Sequence, residues 1–249
     1  MPTPKSPSKS LNLLFSLRGW LAVLLFAIPS MVWVAILPGR ARRRRWARRC
    51  ARVLLRLMGI GLKVQGLAHL PETCIVAANH ASYLDGVILT AALPPRFGFV
   101  IKREITKVPL VGWMTQRVGS EFVERFDKHG ARHDASRLMR SAQRGDCLGI
   151  FPEGTFIAEP GLRVFHLGGF MAAARAGLPV VPIAIRGARS ILPAHCWMPR
   201  RGHLQVQVLP AIQPAARNGD AARKLRDEVR LQVLAHCGEP DHARHGAPE

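Results

Sequence analysis

The sequence predicts an α/β layered domain, with a largely buried mixed sheet flanked by helices and an N-terminal membrane-associated helical segment ahead of it. Three observations carry that prediction. From about residue 63 onward, short strand-like apolar runs alternate with helix-like runs, the pattern of strands joined by crossover helices. Before this, residues 20–37 form a stretch of eighteen positions without a charge. The first 50 residues also hold ten basic side chains and no acidic one, half of the net charge of +20.

Strands are expected at 74–78, 97–101, 147–151, 180–185 and 204–209, and helices at 83–93, 134–143, 170–176 and 221–236. At 249 residues the chain can bury one full core with room for a segment beside it. Three regions are expected: a start at 1–50 with a Pro/Ser/Lys-rich disordered beginning, a catalytic domain at 51–240, and a tail at 241–249. Residues 53–62 continue apolar and lie at the membrane interface or pack under the domain.

As helix, residues 20–37 span about 27 Å, slightly less than a hydrocarbon core of roughly 30 Å. Pro29 would kink it. A spanning helix, a half-inserted helical hairpin and a signal peptide all compete. The arginines between Arg40 and Arg49 oppose translocation, which disfavours the signal peptide, and spanning is taken narrowly ahead of half-insertion. The same cations place the domain on the cytoplasmic side of the inner membrane, against anionic headgroups.

With 36 Lys and Arg against 16 Asp and Glu, the chain calls for a polyanionic partner. Nucleic acid is disfavoured: the Arg run adjoins an apolar segment, Tyr occurs once, and no stacking platform or recognition helix is evident. The five cysteines are widely spaced, which suits packing thiols and indicates no metal site.

His80 and Asp85 are separated by four residues, but so are His129/Asp134 and His236/Asp241. Context distinguishes them. His129 lies in a run of charged and small residues, and His236 closes the last helix. His80 follows the apolar run CIVAA and precedes an apolar helix, a strand-to-helix junction of the kind that carries catalytic groups in α/β domains. Five positions along one continuous helix diverge by about 140°. The two side chains can therefore meet only if the helix begins between them. Ser82-Tyr83-Leu84-Asp85 supplies such a start, resembling a capping box. Asp85 is then either a cap or the partner that fixes the His80 tautomer, leaving the other nitrogen to take a proton from a substrate hydroxyl. Water as that substrate would make the protein a hydrolase.

Three further segments follow in order. Gly119 to Arg125 ends in a cation after an apolar pair. Phe151-Pro152-Glu153-Gly154-Thr155 forces a turn at a strand end, presenting Glu153 and Thr155 as a brace or a substrate contact. Val181-Pro182-Ile183 places proline in an apolar strand, which suits an edge or a bulge.

Together with Asn79-His80 through Asp85, these segments resemble the four motifs of the lysophosphatidate and glycerol-phosphate acyltransferase family, over residues 60–210. The resemblance implies acyl transfer from acyl-CoA or acyl carrier protein to the hydroxyl of a lysophospholipid, with no metal or prosthetic group. It makes His80 the base and Asp85 its orienting partner. By it, Arg125, Glu153, Gly154 and Thr155 hold the acceptor, and Lys102 and Arg103 contact phosphate. Two positions depart from the family pattern: Phe156-Ile157 follow the third motif in place of Arg, and His166 stands where the family often has Lys. A zwitterionic or non-phosphate lyso-lipid is therefore the alternative acceptor to 1-acylglycerol 3-phosphate.

Overall fold

Strands covered on both faces read as uninterrupted apolar runs, and three of them build the centre of this protein. The computed structural model describes residues 9–123, 140–141 and 144–245. In chain order its strands are β1 (Gly61–Gln65), β2 (Ile75–Ala78), β3 (Phe97–Lys102), β4 (Glu121–Val123), β5 (Cys147–Ile150), β6 (Val180–Arg186) and β7 (His203–Val208). All of β2 and β5 and all but the last residue of β6 are buried. The described α-helices are α1 (Lys9–Ala22), α2 (Ile28–Ile36), α3 (Arg40–Leu57), α4 (Asp85–Ala92), α5 (Val111–Arg117), α6 (Gly168–Ala176), α7 (Ala188–Ile191) and α8 (Gly219–Cys237). The helix expected at 134–143 falls almost wholly outside the described residues.

The strands form one sheet in the order β1-β7-β6-β2-β5-β3-β4. Among the described strands only β6 and β7 pair antiparallel, so the sheet is mixed, as expected. Successive side chains alternate between its faces. Val76 and Ala78 pack with Leu55 of α3 and Ile88 and Leu89 of α4. Ile75 and Ala77 pack with Phe170 of α6 and Val229 and Val233 of α8. Helix α8 is capped at both ends: the Asn218 side chain accepts from the Ala221 N–H, and Gly238 takes the left-handed conformation that ends it.

Of the two settings expected for Pro182, an edge or a bulge, the fold provides the bulge. The proline lies in β6, which is flanked by β7 and β2, so the strand is interior rather than an edge. Ile183 pairs with Val208, but Val180 pairs with Ile212, so the partner chain carries one extra residue across this point.

The N-terminal helix is longer than the charge-free stretch suggests. Leu13–Ile36 is a helix of 24 residues containing a stretch of mean hydropathy 2.1, long and apolar enough to cross a membrane. It passes through a π-helical stretch at Val23–Ala27, immediately before Pro29. The wider turn there absorbs the ring and the missing N–H without a break. Both ends are fastened to the domain. Ser16 Oγ donates to the Pro199 carbonyl and Arg18 Nε to that of Leu57. At the other end, Val34 and Ala35 are buried, and Arg117 Nε donates to the Ala35 carbonyl. Between them Leu17, Leu21, Leu24, Ile28 and Val32 form an exposed apolar stripe.

The arginine run is partly consumed inside the fold. Arg44 donates to the carbonyls of Val118, Arg96 and Gly119 at 2.8, 2.7 and 3.0 Å. Its guanidinium occupies space at Gly98, where an added Cβ would come within 2.6 Å of it. Arg43 and Arg52 likewise donate to the Arg117 and Ala91 carbonyls, near the ends of α5 and α4, where cations also favour the helix dipole. Arg42, Arg45 and Arg49 stay exposed. Part of the basic cluster is therefore spent on carbonyls inside the fold, because α3 must also seal the domain beneath it.

Candidate active site

Parallel strands put all their C-terminal ends on one edge of a sheet, and the site grows from the ends of β2 and β5. Beyond β2 the chain turns through Asn79, whose side chain replaces a missing ladder. Its Nδ2 donates to the Ile185 carbonyl at 3.0 Å, and its Oδ1 accepts from the Ile185 N–H at 2.7 Å. Asn79 is only 2% exposed, so both bonds form away from water and hold the turn rigidly against β6.

Helix α4 begins at Asp85, so His80 precedes it, as their meeting requires. Asp85 Oδ2 accepts from the backbone N–H groups of Ala81 and Ser82 at 2.6 and 2.8 Å and lies 2.8 Å from His80 Nδ1. The bond from Ser82 is half of the expected capping box. In the other half, Ser82 Oγ accepts from Leu84 N–H instead and donates to the Leu192 carbonyl. Asp85 thus braces the turn ahead of α4 and partners the histidine at once, while the helix's own N-cap position, Leu84, makes no side-chain cap bond. Because the carboxylate can only accept, Nδ1 carries the proton in the neutral ring, leaving Nε2 as the basic nitrogen. Phe151 stacks on the imidazole at 4.4 Å, and Phe156 meets it edge-on at 4.6 Å.

Glu153 reaches the same place from β5. The turn depends on Gly154, whose φ of 81° is disfavoured for a residue with a β-carbon. Glu153 is 3% exposed. Its Oε1 accepts from the His80 N–H at 2.6 Å and its Oε2 from the Arg163 N–H at 2.9 Å. The carboxylate therefore ties the His80 turn to the loop after the third motif. The C-terminal segment braces that loop in turn. Leu162 bridges to Asp241, Arg189 pairs with Glu239 at 2.8 Å, and Glu239 accepts from the Gly161 N–H at 2.7 Å.

Burial pushes the Glu153 carboxyl up to about 7, against the opposing pull of its two N–H donors. A carboxyl raised on folding stabilises the fold while protonated, and that contribution is lost as pH rises through about 7. In Glu153→Gln, one N–H donor would face an amide N–H, so the variant is expected to be less stable at pH 5. Its stability should then change less between pH 5 and 8 than that of the native chain, by roughly 3 kcal/mol. Denaturant midpoints at the two pH values measure this, and parallel pH dependence would refute it.

The other expected contacts distribute along the same edge. Thr155 is exposed beside Glu153, and its carbonyl lies 3.5 Å from Arg163 Nη1. Lys102 and Arg103 stand at the end of β3, two strand spacings from β2, or roughly 10 Å. Lys102 Nζ is 3.2 Å from Glu104. Arg125 lies outside the described residues, as does the His129/Asp134 pair. In the third His/Asp pair, His236 Nδ1 donates to the Gln232 carbonyl and Asp241 pairs with Arg230. Asn79, Phe151, Phe156 and Tyr83 join the site without having been assigned a role from the sequence. The strand-end position of Asn79 was the available signal for it.

A family model described as Acyltransferase matches residues 61–186. The 1-acyl-sn-glycerol-3-phosphate acyltransferase of Pseudomonas aeruginosa is 30% identical over 249 aligned residues, covering 94% of this chain and 96% of that protein. The lyso-ornithine lipid O-acyltransferase of the same organism is 30% identical over 266, covering 95% and 99%. A longer chloroplastic 1-acyl-sn-glycerol-3-phosphate acyltransferase of Brassica napus is 33% identical over 133 residues, and the match spans 38% of that protein's length. In fold, the chain resembles the crystal structure of the 1-acyl-sn-glycerophosphate acyltransferase from Thermotoga maritima. The TM-score is 0.73 at 20% identity, covering 91% of this chain and 96% of that one.

Proposed function

This chain belongs to the acyltransferase family, and on that premise we propose that it moves a fatty acyl group from a thioester donor to the free hydroxyl of a lysophospholipid. The observation that carries this reading is the 2.8 Å contact between His80 Nδ1 and Asp85 Oδ2, which leaves Nε2 as the base. The acceptor hydroxyl attacks the thioester carbonyl as Nε2 takes its proton. The tetrahedral intermediate collapses with cleavage of the C–S bond, and the proton on Nε2 passes to the departing sulfur. Ester and free thiol result, and the balance requires no metal or prosthetic group. The donor is acyl-CoA or acyl carrier protein.

The acceptor is 1-acylglycerol 3-phosphate, giving phosphatidic acid, with Lys102, Arg103 and Arg125 as phosphate contacts. Two observations favour a second reading, a zwitterionic or non-phosphate lyso-lipid. Phe156 packs on His80 where the family pattern has a cation, and a relative acting on lyso-ornithine lipid matches the chain over nearly its whole length. The protein acts at the cytoplasmic face of the inner membrane. Because both ends of the apolar helix are fastened to the domain, the helix lies in one leaflet rather than crossing, and exposed Arg42, Arg45 and Arg49 meet anionic headgroups.

A panel of lyso-lipid acceptors with one labelled acyl-CoA tests the reading. Lysophosphatidate is expected to be the best acceptor. Preference for lyso-ornithine lipid or lysophosphatidylcholine would select the second reading. Thiol release without any acyl acceptor would make the protein a hydrolase instead.

A further inference from the structure

A line of aromatic rings runs from the His80 imidazole to the apolar N-terminal helix. Phe156 meets His80 with centroids 4.6 Å apart, and Tyr83 meets Phe156 at 4.7 Å. Trp197 stacks on Tyr83 at 5.8 Å and 13°, and Trp20 follows at 6.4 Å. The Trp20 indole N–H donates to the Trp197 carbonyl at 2.8 Å, so the loop bearing Trp197 is pinned to the helix.

This chain of contacts does not end in a core. Tyr83 is 48% exposed, Trp197 65% and Trp20 43%. Large rings left in water contribute little to folding, and a contiguous exposed apolar surface marks a binding surface. One end of this one is continuous with the outward stripe of Leu17, Leu21 and Leu24. The other end is the proposed catalytic base.

We propose that the strip formed by Phe156, Tyr83, Trp197 and Trp20 is the docking surface for the acyl chain of the lyso-lipid acceptor. This deepens the acyl-transfer reading and rests on it. The chain lies along the rings from the bilayer-facing helix toward His80, which brings the free hydroxyl to Nε2. The acceptor is the occupant because it is a single-chain amphiphile resident in the bilayer, and the strip starts at the face that meets the bilayer. The donor's carrier, coenzyme A or a protein, is water-soluble and arrives from the other phase. Aromatic faces suit a mobile alkyl chain, offering a wide apolar area at low conformational entropy.

The test uses the full chain in detergent, with Trp197→Ser and Tyr83→Ser as variants and Trp113→Ser as a control for removing an exposed tryptophan elsewhere. For the native chain and each variant, kcat/KM is measured for acceptors carrying an oleoyl or an octanoyl chain at constant thioester. The oleoyl-to-octanoyl ratio is expected to fall about tenfold in the two strip variants, since fewer methylenes find an apolar partner, and to stay at the native value in the control. An unchanged ratio in the strip variants overturns the proposal. So does a rise in the KM for the thioester alone, which would assign the strip to the donor. A second arm does not depend on turnover: a lyso-lipid with a diazirine in its acyl chain is photo-crosslinked to the native chain and the adducts are mapped. Labelling of Tyr83 or the 197–198 segment supports the strip even if no acceptor is acylated, an outcome that would sink only the transfer reading. Labelling confined to other segments overturns the strip.

Discussion

His80→Ala is expected to lower kcat for acyl transfer about 10³-fold, the scale of a lost general base, while the protein stays folded. The His80 side chain is 19% exposed and packs on Phe151 and Phe156, so its loss weakens packing locally, but Asp85 Oδ2 keeps its two backbone donors at 2.6 and 2.8 Å. The His80 backbone N–H still reaches Glu153. The scaffold of the site therefore survives without the imidazole, and the loss falls on kcat rather than on the acceptor KM. Thiol release from acyl-CoA with acceptor present measures it, with circular dichroism as the control for folding. Turnover within tenfold of the native rate in a folded variant would remove His80 from the mechanism.

The second large effect separates the two jobs of Asp85. In Asp85→Asn the Ala81 and Ser82 N–H groups select the amide oxygen for the place of Oδ2, because an amide N–H there would face two donors. The amide nitrogen then takes the place of Oδ1, which has no hydrogen-bond partner among the described residues. His80 Nδ1 keeps an acceptor and its tautomer, and what disappears is the negative charge that stabilises the imidazolium formed during attack. A fall in kcat of about 10²-fold with little change in stability is expected. Asp85→Ala removes both functions. It leaves two backbone donors without an acceptor beside a residue that is 0% exposed. A further loss of about 3 kcal/mol in unfolding free energy is expected. Equal stability losses for the Asn and Ala variants would show that the charge, not the two backbone bonds, holds the turn.

The five expected strands all appear, within a residue or two, because four of them carry long apolar runs and β7 alternates buried and half-buried residues. The missed strands have no such signal. β1 is a five-residue edge with only half-buried and exposed positions, paired in parallel with β7 some 140 residues away. β4 spans three half-buried residues. Their strand character comes from a neighbour, not from their own composition. The His80–Asp85 pair was legible because its spacing coincides with a strand end and a helix start. Glu153 was legible as a turn carboxylate, but whether it braces or binds was not. That depends on which N–H groups approach it, and both come from segments distant in the chain or the turn.

The sequence by itself determined the layered α/β class, the apolar and basic N-terminus, and the junction at which His80 and Asp85 meet. All of these are properties of local patterns read within a turn or a strand. Only the tertiary structure decided which arginines face outward, since Arg43, Arg44 and Arg52 find carbonyls on other elements. It also decided that the apolar helix is held at both ends, that Pro182 lies in an interior strand, and that an aromatic strip joins the helix to His80. Each of these depends on contacts between residues far apart in the chain, and a local pattern carries no record of its distant partner.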